Sequence, residues 1–154
     1  MDMDSAFSGV TEACYFIALK RVLDPPTTES RTGHPIRFLS GVSSDSHYPW
    51  TDGNIYDHTL TNSRKTAGNP TLSLTNFHLY NVDSKSGSWI ARINKAQLFS
   101  TGTNTIDIGG TALGKGGGSY FFDGDIGEFI AYSSILSSTD RGKVEDYLYN
   151  KWGI

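Results

Sequence analysis

Only at its C-terminal end does this chain space its apolar residues as a helix does. From Ser138, "STDRGKVEDYLYNKWGI" opens on Ser, Thr and Asp, sets Val144, Tyr147, Leu148 and Trp152 three and four residues apart, and reaches Gly153, a residue suited to ending a helix. Upstream, apolar residues alternate or come in short runs separated by turn residues. Many short strands closed by one helix bury their apolar faces by stacking sheet on sheet, whereas βαβ units would need helical stretches between the strands. The predicted class is therefore all-β, an antiparallel two-sheet sandwich with one short C-terminal α-helix lying across one sheet or its open end.

The strands can be placed. "ACYFIALKRV", Ala13 to Val22, is aromatic and β-branched and reads as a buried strand; "IRFLSGV" follows the turn-rich "LDPPTTESRTGHP". A short strand is expected over 54–60 inside the longest irregular region. "TLSLTNFHLYNV" alternates, with Leu72, Leu74, Asn76, His78 and Tyr80 on one face. "WIARINKAQLFS" predicts a hairpin turning at Asn94-Lys95, and Trp89, at the start of an alternating strand, reads as core. "NTIDIGG" and "SYFFDGDIGEFIAYSS" supply further strands, the latter with Ile126, Glu128, Ile130 and Tyr132 on one side.

Composition agrees and excludes some functions. A chain of 154 residues with 17 glycines, 8 tyrosines and 8 phenylalanines fits one β-rich domain over 1–154, without repeats or linkers that would divide it. A net charge of −3 with scattered basic residues leaves no footprint for nucleic acid and no polybasic patch for a membrane surface. No apolar run has the length of a transmembrane helix, so membrane insertion is not expected, and the acidic start "MDMDSAFSG" has no secretory-signal pattern. The single cysteine, Cys14, lies in an apolar run and reads as a core thiol.

"IGGTALGKGGGSYFF" comes close to a phosphate loop through Gly109, Gly114 and Lys115. Position 116 is glycine where the motif needs a hydroxyl, and an aromatic strand-like run follows where a helix should begin. The expectation is a loop joining two strands.

The run "FFDGDIGEFIAYSSILSSTDRGKVEDYLYNKWGI" resembles the last segment of laminin G-like domains of the concanavalin A-like lectin/glucanase superfamily of jelly rolls. "WIARINKAQLFS" is similar to the hairpin before it, with Lys95 where the family commonly has glycine, and "CYFIALKRV" is similar to an inner strand. The resemblance implies a jelly-roll sandwich. It also implies strands ahead of "CYFIALKRV", and the few residues there suggest either a shortened domain or one completed by a neighbouring copy.

Because this superfold hosts lectins, hydrolases, adhesion modules and viral surface domains, function must come from sites. Tyr48, Trp50, Asp52, Asn54 and Arg64 combine aromatic faces with directional polar groups among turns, as glycan binding requires; Trp50 could equally plug the end of the sandwich. Asp123, Asp125 and Glu128 resemble the carboxylate strand of laminarinase-type hydrolases, but simple alternation puts Glu128 on the opposite face unless a bulge falls at Gly127. No catalytic residue is therefore assigned. Calcium, with Asp52, Asp57 or Asp123 as oxygen ligands, has no acidic run to mark a loop, so no cofactor is expected. His34, His47, His58 and His78 lack zinc-ligand spacing.

The expected function is surface attachment without catalysis, at a virion surface or extracellularly. The partner is a glycan or envelope polysaccharide, or other structural proteins of a virion (as capsid decoration or tail-associated domain), with homo-oligomers possible. The alternatives are a cell-surface or secreted carbohydrate-binding module and a glycoside hydrolase.

Overall fold

The computed structural model describes residues 9–24, 33–38, 46–109, 111–115 and 120–154. Expectations that fall on 1–8, 25–32, 39–45, 110 and 116–119, including the end of the second strand and most of the glycine run, lie outside the described residues.

The chain folds as an all-β sandwich with a C-terminal helix. Its elements are β1 (Glu12–Arg21), β2 (Ile36–Phe38), β3 (Ile55–Asp57), β4 (Lys65–Gly68), β5 (His78–Lys85), β6 (Ser88–Ile93), β7 (Ala96–Thr101), β8 (Thr111–Leu113), β9 (Gly124–Tyr132) and α1 (Ser138–Trp152). One layer is a five-stranded antiparallel sheet in the order β7-β6-β5-β1-β9, and the other is built from two antiparallel ribbons, β2-β8 and β3-β4.

β1 has the near-continuous apolar run of a strand covered on both faces. Ala13, Tyr15, Ile17 and Leu19 point into the sandwich, where they meet Ile36 of β2, Ile55 of β3, Ala67 of β4, and Tyr80, Val82, Trp89, Ala91 and Ile93 of the large sheet. Cys14, Phe16 and Ala18 point the other way, onto Leu79 and Leu148 with Val144, Tyr149 and Trp152 of α1 around them. The helix thus lies across the outer face of the large sheet. Its ends are those read from the sequence: the Ser137 side chain caps Asp140 N, and Gly153 takes a left-handed conformation. Cys14 is buried, with Sγ 3.3 Å from the Ser134 carbonyl, and burial pushes its thiol up to about 11.

Four local differences from the sequence reading have physical causes. The strand expected over 71–82 begins only at His78, because the Asp24 carboxylate and the Ser73 hydroxyl capture the Leu74 and Thr75 N–H groups in turns. Residues 103–109 form no strand: Asn104 is buried and spends its amide on Ser84 Oγ and the Lys85 carbonyl. The region expected to hold one strand over 54–60 is a ribbon, β3 paired with β4. In β9, Ala18 pairs with Glu128 but Leu19 pairs with Ile126, so Gly127 is the extra residue of a bulge, and Ile126 joins the sandwich core while Ile130 and Tyr132 face the helix. A Cβ on Gly127 would come within 2.8 Å of the Trp152 ring, which explains the glycine. The hairpin turn is as read: Asn94 and Lys95 have φ of 47° and 68°, the pattern of a type I′ turn.

Between the layers sits a fully buried carboxylate, Asp57. Its Oδ2 accepts from Tyr15 Oη (3.1 Å) and Tyr80 Oη (2.9 Å), and its Oδ1 from Thr59 N (2.6 Å) and Thr59 Oγ1 (2.5 Å). His34 Nε2 lies 3.3 Å from Oδ2. Burial alone would raise this carboxyl; His34 and the Thr59 donors outweigh it and hold it below its ordinary value. Beside it, His78 Nδ1 donates to the Asn76 carbonyl (2.9 Å), which leaves Nε2 to accept from Tyr48 Oη (2.9 Å). Burial lowers His78 to about 4.

Both shifts act in the same direction. A depressed folded pKa means that the unfolded chain takes up protons first, so stability falls with falling pH. For His78 the loss begins near 6.5 and runs to about 4; for Asp57 it begins near 3.8 and continues below. Urea denaturation across pH 7 to 3 is expected to show this decline, and Tyr48→Phe to destabilise the protein by about 1–3 kcal/mol at pH 7 by removing the donor to His78 Nε2. Gly127→Ala should cost about 1–3 kcal/mol by displacing Trp152, read in the same denaturation series.

Candidate functional site

The sequence-selected residues come together on the β3-β4 ribbon and the turn before it, with one exception. Trp50, Asp52 and Gly53 form a tight turn closed by Gly53 N to the Trp50 carbonyl (2.9 Å), and Trp50 N donates to the Asn54 carbonyl (2.9 Å). Gly53 has φ +85°, and the Asn69 amide fills the space where a Cβ would be. The turn places Asp52 at the surface, where Oδ1 accepts from Asn54 N (2.9 Å) and Oδ2 from Tyr56 Oη (2.7 Å). Arg64, exposed at the mouth of β4, lays its guanidinium 4.7 Å from the centre of the Tyr56 ring. Trp50 is half-buried, with the His47 ring 4.1 Å away.

Tyr48 is the exception. It is fully buried, hydrogen-bonded to His78 and packed against His34, Tyr80 and Phe122, so it offers no face to a ligand. Residues in the Tyr-Pro-Trp run divide: Tyr48 fills the core and Trp50 reaches the surface.

Two site residues were not singled out in the sequence. Tyr56 could have been found from the alternation around β3, where Ile55 and Asp57 are buried and Tyr56 is not. His47 is tied to the ribbon by paired backbone bonds with Tyr56 (2.7 and 3.0 Å), a long-range contact that no local pattern announces.

The electrostatics suit polar recognition. For Asp52, slight burial pushes upward, but donation from Asn54 and Tyr56 prevails and keeps the carboxyl below its ordinary value; the same bond raises the Tyr56 hydroxyl. At neutral pH the surface therefore presents a fixed carboxylate acceptor, a guanidinium donor and two aromatic rings. Hydrogen bonding and stacking are the interactions that such groups can offer.

The second candidate set behaves differently. The bulge at Gly127 exists, so Glu128 pairs with Ala18 on the helix side of β9, the side shared by Lys20 and its partner Asp125. Glu128 is nevertheless committed to the helix: it accepts from Tyr147 Oη (3.1 Å) and Trp152 Nε1 (3.2 Å) and pairs with Lys151 (2.9 Å). Asp125 pairs with Lys20 at 3.2 Å. Asp123 lies outside the strand and is exposed.

Among the described residues no three His, Cys, Asp or Glu side chains gather as a metal site, and Asp57 is buried apart from the exposed Asp52. His34, His47, His58 and His78 are all buried. The phosphate-loop residues are split: Thr111–Leu113 form β8, Lys115 bridges to Phe121, and 116–119 lie outside the described residues. Among the described residues no helix is long and apolar enough to cross a membrane.

Tyr56→Phe removes one donor from Asp52 and is expected to move that carboxyl upward toward its ordinary value, as read by the pH dependence of its side-chain carbon resonance in NMR.

No protein-family model matches this chain, and no curated protein matches it. Among solved structures it is similar to domain 4 of AbnA, a GH43 extracellular arabinanase from Geobacillus stearothermophilus in complex with arabinotriose, with a TM-score of 0.57 and 16% identity over 88% of this chain and 66% of that one. It is also similar to the native heptameric SAP-like pentraxin from Limulus polyphemus, with a TM-score of 0.56 and 14% identity over 88% of this chain and 70% of that one. At these identities the likeness concerns the fold alone, which is a β-sandwich.

Proposed function

We propose that this domain attaches to glycans without cleaving them, through the face built by Trp50, Asp52, Asn54, Tyr56 and Arg64. The observation that carries the reading is the fixed set of acceptor, guanidinium and ring on the rim of a rigid sandwich. The arabinotriose bound in the AbnA domain supports a glycan as the ligand class. Absence of catalysis is supported by the engagement of Glu128 with α1, which occupies the carboxylate that a two-carboxylate hydrolase would need free. A module of this kind works at an outer surface, a cell envelope or a virion, where many weak contacts add up through multiple copies.

Fluorescently labelled protein, displayed multivalently on arrays of glycans and bacterial envelope polysaccharides, is expected to bind selectively. Trp50→Ala and Arg64→Ala should each weaken binding about tenfold or more, the scale of one lost stacking or charged contact. Absence of binding to every glycan would discard the reading in favour of a protein partner. Polysaccharide cleavage that disappears in Asp125→Asn would instead establish the hydrolase alternative.

A further inference from the structure

Next to the Trp50 turn the surface is hollow. A groove of about 250 Å³ lies between Asp24 and the segment Asn69 to Leu74. It adjoins the ring face because Ile55 pairs with Gly68 and the Asn69 amide rests on Gly53, one residue from Asp52. Resting on the glycan reading above, we propose that this groove is a second sugar subsite, so that the domain grips an oligosaccharide chain running from Trp50 across Gly53 to Asp24.

The groove has the properties of a sugar subsite rather than a gap between loops. Asp24 is exposed but held: Oδ1 accepts from Leu74 N at 2.6 Å and Oδ2 from Ser73 Oγ at 2.5 Å. An ionised carboxylate has about four lone-pair positions, so two remain for ligand hydroxyls, already oriented. The wall is fixed to the large sheet, since Arg21 N donates to the Leu74 carbonyl at 2.7 Å. Leu72 is half-buried and supplies apolar surface for sugar C–H groups, while Asn69 and Thr71 are exposed polar groups at the edge. A volume of this size is below that of pockets for drug-sized ligands and is on the scale of one sugar ring. Preorganised groups of this kind lose little freedom on binding, which is what makes a shallow site effective.

The test is an NMR titration of the isotopically labelled full chain with arabinotriose, cellotriose, maltotriose and chitotriose, each beside its monosaccharide. A trisaccharide that binds is expected to shift both the Trp50 indole signal and the amides of Asn69, Thr71 and Leu74, and to bind at least tenfold more tightly than its monosaccharide. Thr71→Phe, a change at an exposed position that fills the groove, should abolish that length advantage. Asp24→Asn, which keeps the shape of the side chain, should weaken the trisaccharide in the same way. Shifts confined to the Trp50 face, with affinity unchanged in Thr71→Phe, would overturn the second subsite and leave glycan attachment standing. No shift with any of these sugars would remove both.

Discussion

A carboxylate removed from water costs several kcal/mol unless its charge is answered on the spot, and Asp57 is answered from four parts of the chain. Tyr15 comes from β1, Tyr80 from β5, Thr59 from the connection after β3, and His34 from the connection between β1 and β2. Each donor is useful only where the ribbon carrying Asp57 is seated over the large sheet. The buried charge therefore works as a register pin for β3, whose two other residues are an apolar plug and a surface ring. A hydrophobic residue at position 57 could be as stable, but it would accept several seatings of the ribbon, and the geometry of Asp52, Tyr56 and Arg64 depends on one.

The large sheet is covered on both faces over β1, β5 and β9. Inside, it is covered by the ribbons; outside, α1 is held at the Leu148 contact, at Glu128 through Tyr147, Lys151 and Trp152, and at the hairpin tip, where Lys95 reaches Asp146 at 2.6 Å and lies over the Tyr149 ring. A bulge that places Glu128 and Asp125 on one side of the strand serves here to dock a helix.

Much of this was legible from sequence, and the misses share one cause. The terminal helix, the type I′ hairpin and the buried run of β1 rest on local patterns, and all three lie where those patterns put them. Patterns failed where a distant side chain overrode them. Asp24 turned the alternating "TLSLTN" into a groove wall, Asn104 straightened a predicted strand into a connection, and Gly127 moved Ile126 to the opposite face. The site followed the same rule. Trp50, Asp52, Asn54 and Arg64 could be chosen because they stand together in a turn-rich stretch, whereas the burial of Tyr48 depended on His78, thirty positions away.

One feature of the rim bears on how such a protein changes over time. Apart from Asp24, every residue placed at the ring face or in the groove comes from the single stretch His47 to Leu74, while the helix, the hairpin and most of the large sheet lie outside it. The same stretch also sends Tyr48, Ile55, Leu60, Ala67 and Leu74 into the core. Outward and inward positions are therefore interleaved there, and the outward ones are free to vary only while the inward ones and the Asp57 node are kept.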